Sequence, residues 1–485
     1  MPAILLSTLN ARYFHASLGL RYLLANLGEL QADAAIREFI ITQRPLDIAE
    51  ALLAEQPRIV GFGVYIWNVV ETAQVVALLK QVRPDLVVVL GGPEVSHEWD
   101  RQAIVELADY LIAGPGDWAF AQLCQRIHAG NPPTEKVIAA DPPPLDRLLS
   151  PYRFYTDEDI AHRLIYVEAS RGCPFKCEFC LSALDKTAWP FPLEPFLAEL
   201  QMLHQRGVRH FKFVDRTFNL NVKTCARILD FFLERLDERL FLHFELIPDH
   251  LPEPLKTRLV RFPPGSLQFE IGVQTFNPTV QTLISRKQDN CKTVDNLVWL
   301  RRNTHAYLHA DLIAGLPGED LASFAVSFDR LAALDPHEIQ VGVLKRLRGA
   351  PLDRHTAPFD CRYNPHPLQP VVLGHPGFFD DATAGALCPL LGFDRQFRAV
   401  PKNPPPTAGR SAVRALYDLK RLAVRHHRPN SSIRAGTAVR STVSGTGRDT
   451  ECRRAGRACG TGDGLSSERR QRLPGVPATG ATVSQ

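Results

Sequence analysis

Three cysteines on one short loop, Cys173, Cys177 and Cys180 in the spacing C-x3-C-x2-C, are the residues of this sequence that most plainly address chemistry. Cysteine thiolates hold iron–sulfur clusters. A loop with three of them and no fourth nearby can ligate three irons of a [4Fe–4S] cube and leave the fourth open to a ligand. Gly172 and Pro174 flank Cys173 and favour a turning backbone, and residues 165–168 read as a strand that delivers the loop. The competing metal reading is a zinc knuckle. A structural zinc takes four protein ligands, and no second Cys/His pair follows at suitable spacing.

The elements that must position this loop are bounded first by composition. The chain has 485 residues, 45% of them hydrophobic, enough for two or three domains with real cores. Its net charge of +4 is small and the first 350 residues carry no basic stripe, so nucleic acid is not an expected partner. Residues 1–10 lack a charged lead and a long apolar run, and no apolar stretch is long enough to span a bilayer. A cytoplasmic location with no membrane association is expected. Ten cysteines, three of them clustered, fit a reducing compartment with a metal site better than a disulfide framework.

Residues 1–135 alternate apolar strands (3–8, 59–64, 86–90, 110–113) with helical spacing over 18–30, 70–82 and 120–127. This order predicts a parallel doubly wound sheet with ligands at the carboxyl ends of its strands, where Gly61, Gly63, Gly91, Gly92, Gly114 and Gly116 fall. Glycine there lets a flat ligand approach the backbone, although it is also the ordinary residue of tight turns. A Pro-rich stretch follows and places a linker at 136–160. From 161 to 350 the alternation resumes, with strands at 164–169, 210–215, 241–246, 267–272, 309–313 and 338–344 and helices such as 193–205 and 222–235. Six βα units are fewer than the eight of a closed barrel.

The cysteine spacing, with Phe179 before the last Cys, resembles the signature of the radical S-adenosylmethionine superfamily. The glycine-lined sheet ahead of it resembles the cobalamin-binding domain of one class of those enzymes. The resemblance implies an α/β protein: a flavodoxin-like, doubly wound cobalamin-binding domain, then a partial (β/α)6 TIM-type radical SAM barrel. It implies a [4Fe–4S] cluster on Cys173, Cys177 and Cys180, with S-adenosylmethionine and cobalamin as further cofactors. Asp215 would contact the methionine part of the nucleotide, Glu270 and Gln274 the ribose, and Ile313 and Gly315 the adenine. The Gly-Gly-Glu that family members carry after the second barrel strand is missing. Asn10, His15, Ser17, Gly19, Gly91 and Gly92 would lie against the corrin and its tail. There is no D-x-H-x-x-G, so the lower cobalt face would have no motif histidine, and Tyr65, Trp67 or Asn68 would lie near it.

The chemistry so implied is reductive cleavage of S-adenosylmethionine to a 5′-deoxyadenosyl radical. That radical takes hydrogen from an unactivated carbon of a small-molecule substrate, with methylation or a related modification as outcome. A reducing partner such as flavodoxin or ferredoxin would supply the electron. No residue is singled out as catalytic. A methylthiolase-like modifier of transfer RNA shares the barrel but would carry further cysteines in its first domain, where this chain has only Cys124. An iron–sulfur redox or sensor protein would leave Asp215, Glu270 and the Gly315-Leu-Pro-Gly318 loop without a role.

The region 351–485 is expected to be irregular and disordered. It becomes rich in Arg, Thr, Ser and Gly from about residue 404 and loses apolar periodicity. A change of reading frame between Tyr363 and Gly377 accounts for this better than a basic tail. A one-base shift over the codons of residues 377–406 can spell a helical pattern with a Tyr-Trp pair, resembling the helical domain that follows such barrels. Sequencing the genomic DNA there is expected to reveal the shift. An uninterrupted frame matched by peptides of the native protein would restore the basic tail.

Overall fold

The computed structural model describes residues 2–185, 187–355 and 357–359, and the backbone of Gln396–Arg398. The frame-shift reading concerns residues that, that strand apart, lie outside the described ones. No helix among the described residues is long and apolar enough to cross a membrane.

Six strands, β1 (Ile4–Asn10), β2 (Ala34–Ile40), β3 (Ile59–Gly63), β4 (Val87–Gly91), β5 (Tyr110–Ala113) and β6 (Val137–Ala139), form a parallel sheet in the order β2-β1-β3-β4-β5-β6. This is the flavodoxin-like winding, whose crevice opens between β1 and β3 at the carboxyl ends. Leu5, Val60 and Val88 pack on helices Pro45–Ala54 and Val69–Val82, while Leu6 and Val89 pack on helices Leu18–Ala25 and Ala119–His128. Two strands of this sheet went unforeseen. β2 lies at the edge with every residue only half-buried, so it has no apolar run to read. β6 lies in the stretch assigned to the linker, and three residues among prolines are too few to show a period; the linker therefore begins after Ala139.

The second sheet is the partial barrel. β7 (Ile165–Val167), β10 (His210–Phe213), β11 (Phe241–Leu246), β12 (Leu267–Gln274), β13 (Tyr307–Ala314) and β14 (Glu338–Val343) are parallel neighbours in that order. β15 (Gln396–Arg398) pairs antiparallel on the outer edge of β14. A separate ribbon of β8 (Ser170–Gly172) and β9 (Ala188–Pro190) carries the cysteine loop between its strands.

Buried parallel strands are ordinarily apolar on both faces. Here β10 to β14 alternate: Phe211 and Phe213, Leu242 and Phe244, Phe269 and Ile271, Leu308 and Ala310, Ile339 and Val341 enter the core under the helices. The residues between them, Lys212, His243, Glu245, Glu270, His309, Asp311, Glu338 and Gln340, share the opposite face, because successive side chains of a strand point to opposite sides. That face is the barrel lumen. It is polar where such a barrel is usually filled with branched aliphatics.

The first sheet joins the barrel through buried charge. Arg21 of helix Leu18–Ala25 donates to Glu38 of β2 at 3.0 Å and to Asp159 of helix Asp157–His162 at 2.7 Å, and Arg163 reaches Glu38 at 2.9 Å. Burial works to raise the Asp159 carboxyl, yet Arg21 and the Thr156 cap hold it below its ordinary value. Its contribution to stability is therefore present above the ordinary carboxylate range and lost as pH falls through the lowered value. Arg21→Ala removes one of the two cations of this buried cluster and leaves Arg163 to serve both carboxylates. It should cost about 3–5 kcal/mol in denaturant unfolding at neutral pH, and less in acid.

Candidate functional site

The cysteine loop has little regular backbone pairing, and side chains impose its shape. Gly172, at φ 96°, begins it where a Cβ would collide with the Thr187 carbonyl. Asp215 is fully buried and accepts from the Ala169 N–H at 2.9 Å and the Ser170 hydroxyl at 2.6 Å. Burial pushes its carboxyl up to about 7. Glu178, inside the loop, is buried and accepts from His355 Nε2 at 2.7 Å, from Arg354 and from Ser285, while its N–H donates to the Ile284 carbonyl at 3.0 Å. Arg171 donates to Glu168 at 2.7 Å and to Asp117 of the first domain at 3.1 Å. The loop is thus clamped from the first domain, the second barrel strand and the segment after the barrel.

Cys173, Cys177 and Cys180 line one cavity of about 270 Å³ at the carboxyl ends of the barrel strands, and Glu270, Gln274 and Ile313 line it with them. Burial pushes the Cys173 thiol up to about 11 and raises that of Cys177, against which Arg286 works. Metal coordination removes such protons outright. Among the described residues no three metal-ligating side chains converge on a single ion position. A cube does not ask for that, since each thiolate binds a different iron.

The lumen below is electrostatically dense. Glu270 is 3% exposed, with His243 Nε2 at 3.2 Å and Lys212 Nζ at 3.6 Å. Burial would raise its carboxyl, but Lys212 and His243 overcome this and hold it well below the usual range. Burial pushes His243 down to about 4, Glu245 up to about 7 and Asp311 up to about 6. Burial also works to lower His309, yet Asp311 and Glu270 raise it to about 9. Glu270 Oε2 and Asp311 Oδ1 have their histidine ion pairs, at 3.2 Å and 3.0 Å, while Gln274 Oε1 and Gln340 Oε1 are buried acceptors lacking a donor. All four residues line the cavity. Buried acceptors without donors are costly, and the ammonium, hydroxyls and amine of S-adenosylmethionine are donors that fit them.

A second cavity of about 300 Å³ lies at the carboxyl ends of β3, β4 and β5, bounded also by Arg171 of the barrel. Gly19, Gly63, Gly91 and Gly92 line it with Tyr65, whose ring stacks on Trp67 at 4.4 Å. A Cβ on Gly63 or Gly91 would meet nothing closer than 3.5 Å, so side chains there would fill space that a flat ring can use. Among the described residues no histidine lines it. The residues present fit cobalamin held by a glycine cradle.

Several expected residues lie elsewhere. The Asn10 amide and the Ser17 backbone N–H donate to Glu38, at 3.0 Å and 2.5 Å, the carboxylate that anchors the joint with Arg21, while the Ser17 hydroxyl caps helix Leu18–Ala25. His15 is tied to Tyr166 at 2.5 Å, and its backbone bridges to Leu164, so it meets the barrel and not the second cavity. Asp215 does not line the cluster cavity but a smaller one beside Ser170 and Thr217, since its oxygens are used on the ribbon. Gly315, at φ 90°, forms the turn beyond the cavity wall, and Asn68 is consumed by Leu9 and Gly63. Sequence reasoning missed Lys212, His243, His309 and Gln340. Polar residues at every second position of buried strands were the signal.

A family model described as B12 binding domain matches residues 5–124, and one described as Radical SAM superfamily matches residues 167–331. The chain is 27% identical over 236 residues to the uncharacterized methyltransferase PH0819 of Pyrococcus horikoshii, covering 44% of this chain and 51% of that one. It is 25% identical over 348 residues to the cobalamin-dependent radical SAM methyltransferase TokK of Streptomyces tokunonensis, covering 61% and 48%. The chain thus spans about half the length of these curated relatives. The solved structure of the radical S-adenosylmethionine methyltransferase TsrM from Kitasatospora setae, with cobalamin and a [4Fe-4S] cluster bound, superposes with a TM-score of 0.57. It covers 73% of this chain and 77% of that one at 18% identity, a likeness of fold.

Replacing Cys173, Cys177 and Cys180 together with Ala should abolish iron binding by anaerobically reconstituted protein, read by iron assay and by the thiolate-to-iron absorption band. Asp215→Ala removes two hydrogen bonds to the ribbon, at about 1–3 kcal/mol together. It should speed loss of iron to a chelator while leaving the affinity of the loaded protein for S-adenosylmethionine unchanged.

Proposed function

The chain being a radical SAM protein with an N-terminal B12 binding domain, whose cofactors are a [4Fe–4S] cluster, S-adenosylmethionine and cobalamin, we propose that it methylates an unactivated carbon of a small molecule. The observation that carries the reading is the pair of cavities, one lined by the three cysteines and the polar acceptors of the lumen, the other by the glycine cradle and Arg171. When bound, the cluster and S-adenosylmethionine supply a carbon-centred oxidant and cobalamin supplies a methyl carrier. The residues hold and exclude. Glu270, kept anionic by Lys212 and His243, accepts hydroxyl donors of the nucleotide, and Gln274 at the bulge of β12 adds a second acceptor. The loop clamps fix the thiolates, and Arg171 ties the start of the loop to Asp117 of the first domain.

Loaded protein incubated anaerobically with a reductant and S-adenosylmethionine should form both S-adenosylhomocysteine, left by methyl donation, and 5′-deoxyadenosine, left by radical cleavage. 5′-Deoxyadenosine alone would contradict the methylation. Glu270→Ala should weaken binding of S-adenosylmethionine about tenfold to a hundredfold at unchanged iron content, the cost of one charge-assisted hydrogen bond of about 1.5–3 kcal/mol. Calorimetric titration checks it, and unchanged affinity would contradict the assignment of Glu270.

A further inference from the structure

The residues that follow β14 face two ways in turn. Lys345 and Leu347 line the cluster cavity, whereas Arg346 and Arg348 reach the first domain. Arg346 donates to both oxygens of Glu98, at 3.0 Å and 3.1 Å, and to both oxygens of Asp353, at 2.6 Å and 2.7 Å. A planar guanidinium can grip two carboxylates at once in this way, and an ammonium cannot. Arg348 donates to Glu94 at 2.8 Å, and the Gly349 N–H to Glu98 at 3.3 Å. Each side of this knot leads to a cofactor cavity. Glu94 is buried, and its N–H reaches the Val64 carbonyl at 3.4 Å, the group on which Gly92 packs so closely that a Cβ would collide. Gly91 and Gly92 line the glycine cradle. Asp353 belongs to the short helical turn Pro351–His355, whose Leu352 is fully buried and whose His355 holds Glu178 between Cys177 and Cys180.

We propose that Arg346 is a positioning residue that fixes the separation of cobalamin and cluster: one guanidinium grips both the loop that follows the glycine cradle and the turn that clamps the cysteine loop. The ion pairs of Arg21, Arg163 and Arg171 lie beside β7, at the opposite edge of the parallel strands. Anchors at one edge alone leave a hinge, and motion between domains is then the default. A second anchor after β14 removes that freedom. The spacing matters because one substrate carbon must meet the radical and the methyl carrier in turn, and small misplacements of reacting groups are costly in rate.

The inference rests on the assignment of both cofactors. The test is electron paramagnetic resonance of reconstituted protein carrying cob(II)alamin and the reduced cluster, each with an unpaired electron. Their magnetic interaction broadens the cobalt resonance and speeds its relaxation, and it falls steeply with separation. The wild-type protein should show one well-defined interaction. Arg346→Met should keep its iron and cobalamin yet show a spread of interactions, and Arg346→Lys, which keeps the charge and cannot hold Glu98 and Asp353 together, should give a smaller spread. A wild-type interaction in Arg346→Met loaded with both cofactors would overturn the proposal, whatever the loss in Tm. If that variant does not load, Glu98→Gln, which cuts the arm to the first domain alone, decides on the same terms, and failure of both to load shows a folding role and overturns it. A wild-type protein that binds iron but no cobalamin would contradict the cofactor reading itself, an outcome distinct from these.

Discussion

The barrel depends on keeping charge inside a parallel sheet. Lys212, His243, Glu245, Glu270, His309 and Asp311 occupy a lumen that an unoccupied barrel would fill with aliphatic side chains. An isolated buried charge is prohibitive, so each is paired or driven toward neutrality: Glu270 is held anionic by Lys212 and His243, whereas Glu245 and Asp311 are pushed toward their protonated forms. The outward positions of the same strands carry the phenylalanine-rich core. Phe244 lies 4.0 Å from Phe218 and 4.6 Å from Phe213, centroid to centroid. The alternation therefore supplies stability on one face and a ligand-directed surface on the other.

The cysteine loop inherits its geometry from that arrangement. It has few backbone partners of its own, so buried side chains from three directions fix it: Asp215 from the second barrel strand, Glu178 with His355 from beyond the last parallel strand, and Arg171 with Asp117 from the first domain. The domains are further tied where Arg346 and Arg348, after β14, reach Glu98 at 3.0 Å and Glu94 at 2.8 Å beside the Gly91-Gly92 turn. With Arg171–Asp117, these ion pairs tie the first domain to the barrel.

Much of this was legible in the sequence, for identifiable reasons. The thiolate spacing is a local signal, as are apolar strands ending in glycine, and these gave the loop, both sheets and the glycine cradle. Edge strands such as β2 and β6 were not legible, because half-burial and brevity erase periodicity. Neither were Asn10, Ser17 and His15. A resemblance places residues by position along the chain, whereas long-range partners decide what they meet: Glu38 takes the Asn10 side chain and the Ser17 N–H, and Tyr166 the His15 ring. Asp215 was read correctly as an acid at a strand end and misplaced by one side of the strand. The polar lumen could have been found by asking why buried strands carry charge at every second position.

The central claim is that the loop and the lumen together cleave S-adenosylmethionine. Release of 5′-deoxyadenosine by anaerobically reconstituted protein under a strong reductant measures this most directly. The account predicts release by the wild-type protein and none from the protein lacking Cys173, Cys177 and Cys180. A protein that carries a full, reducible cluster and releases no 5′-deoxyadenosine would contradict it and leave an electron-transfer or sensing role.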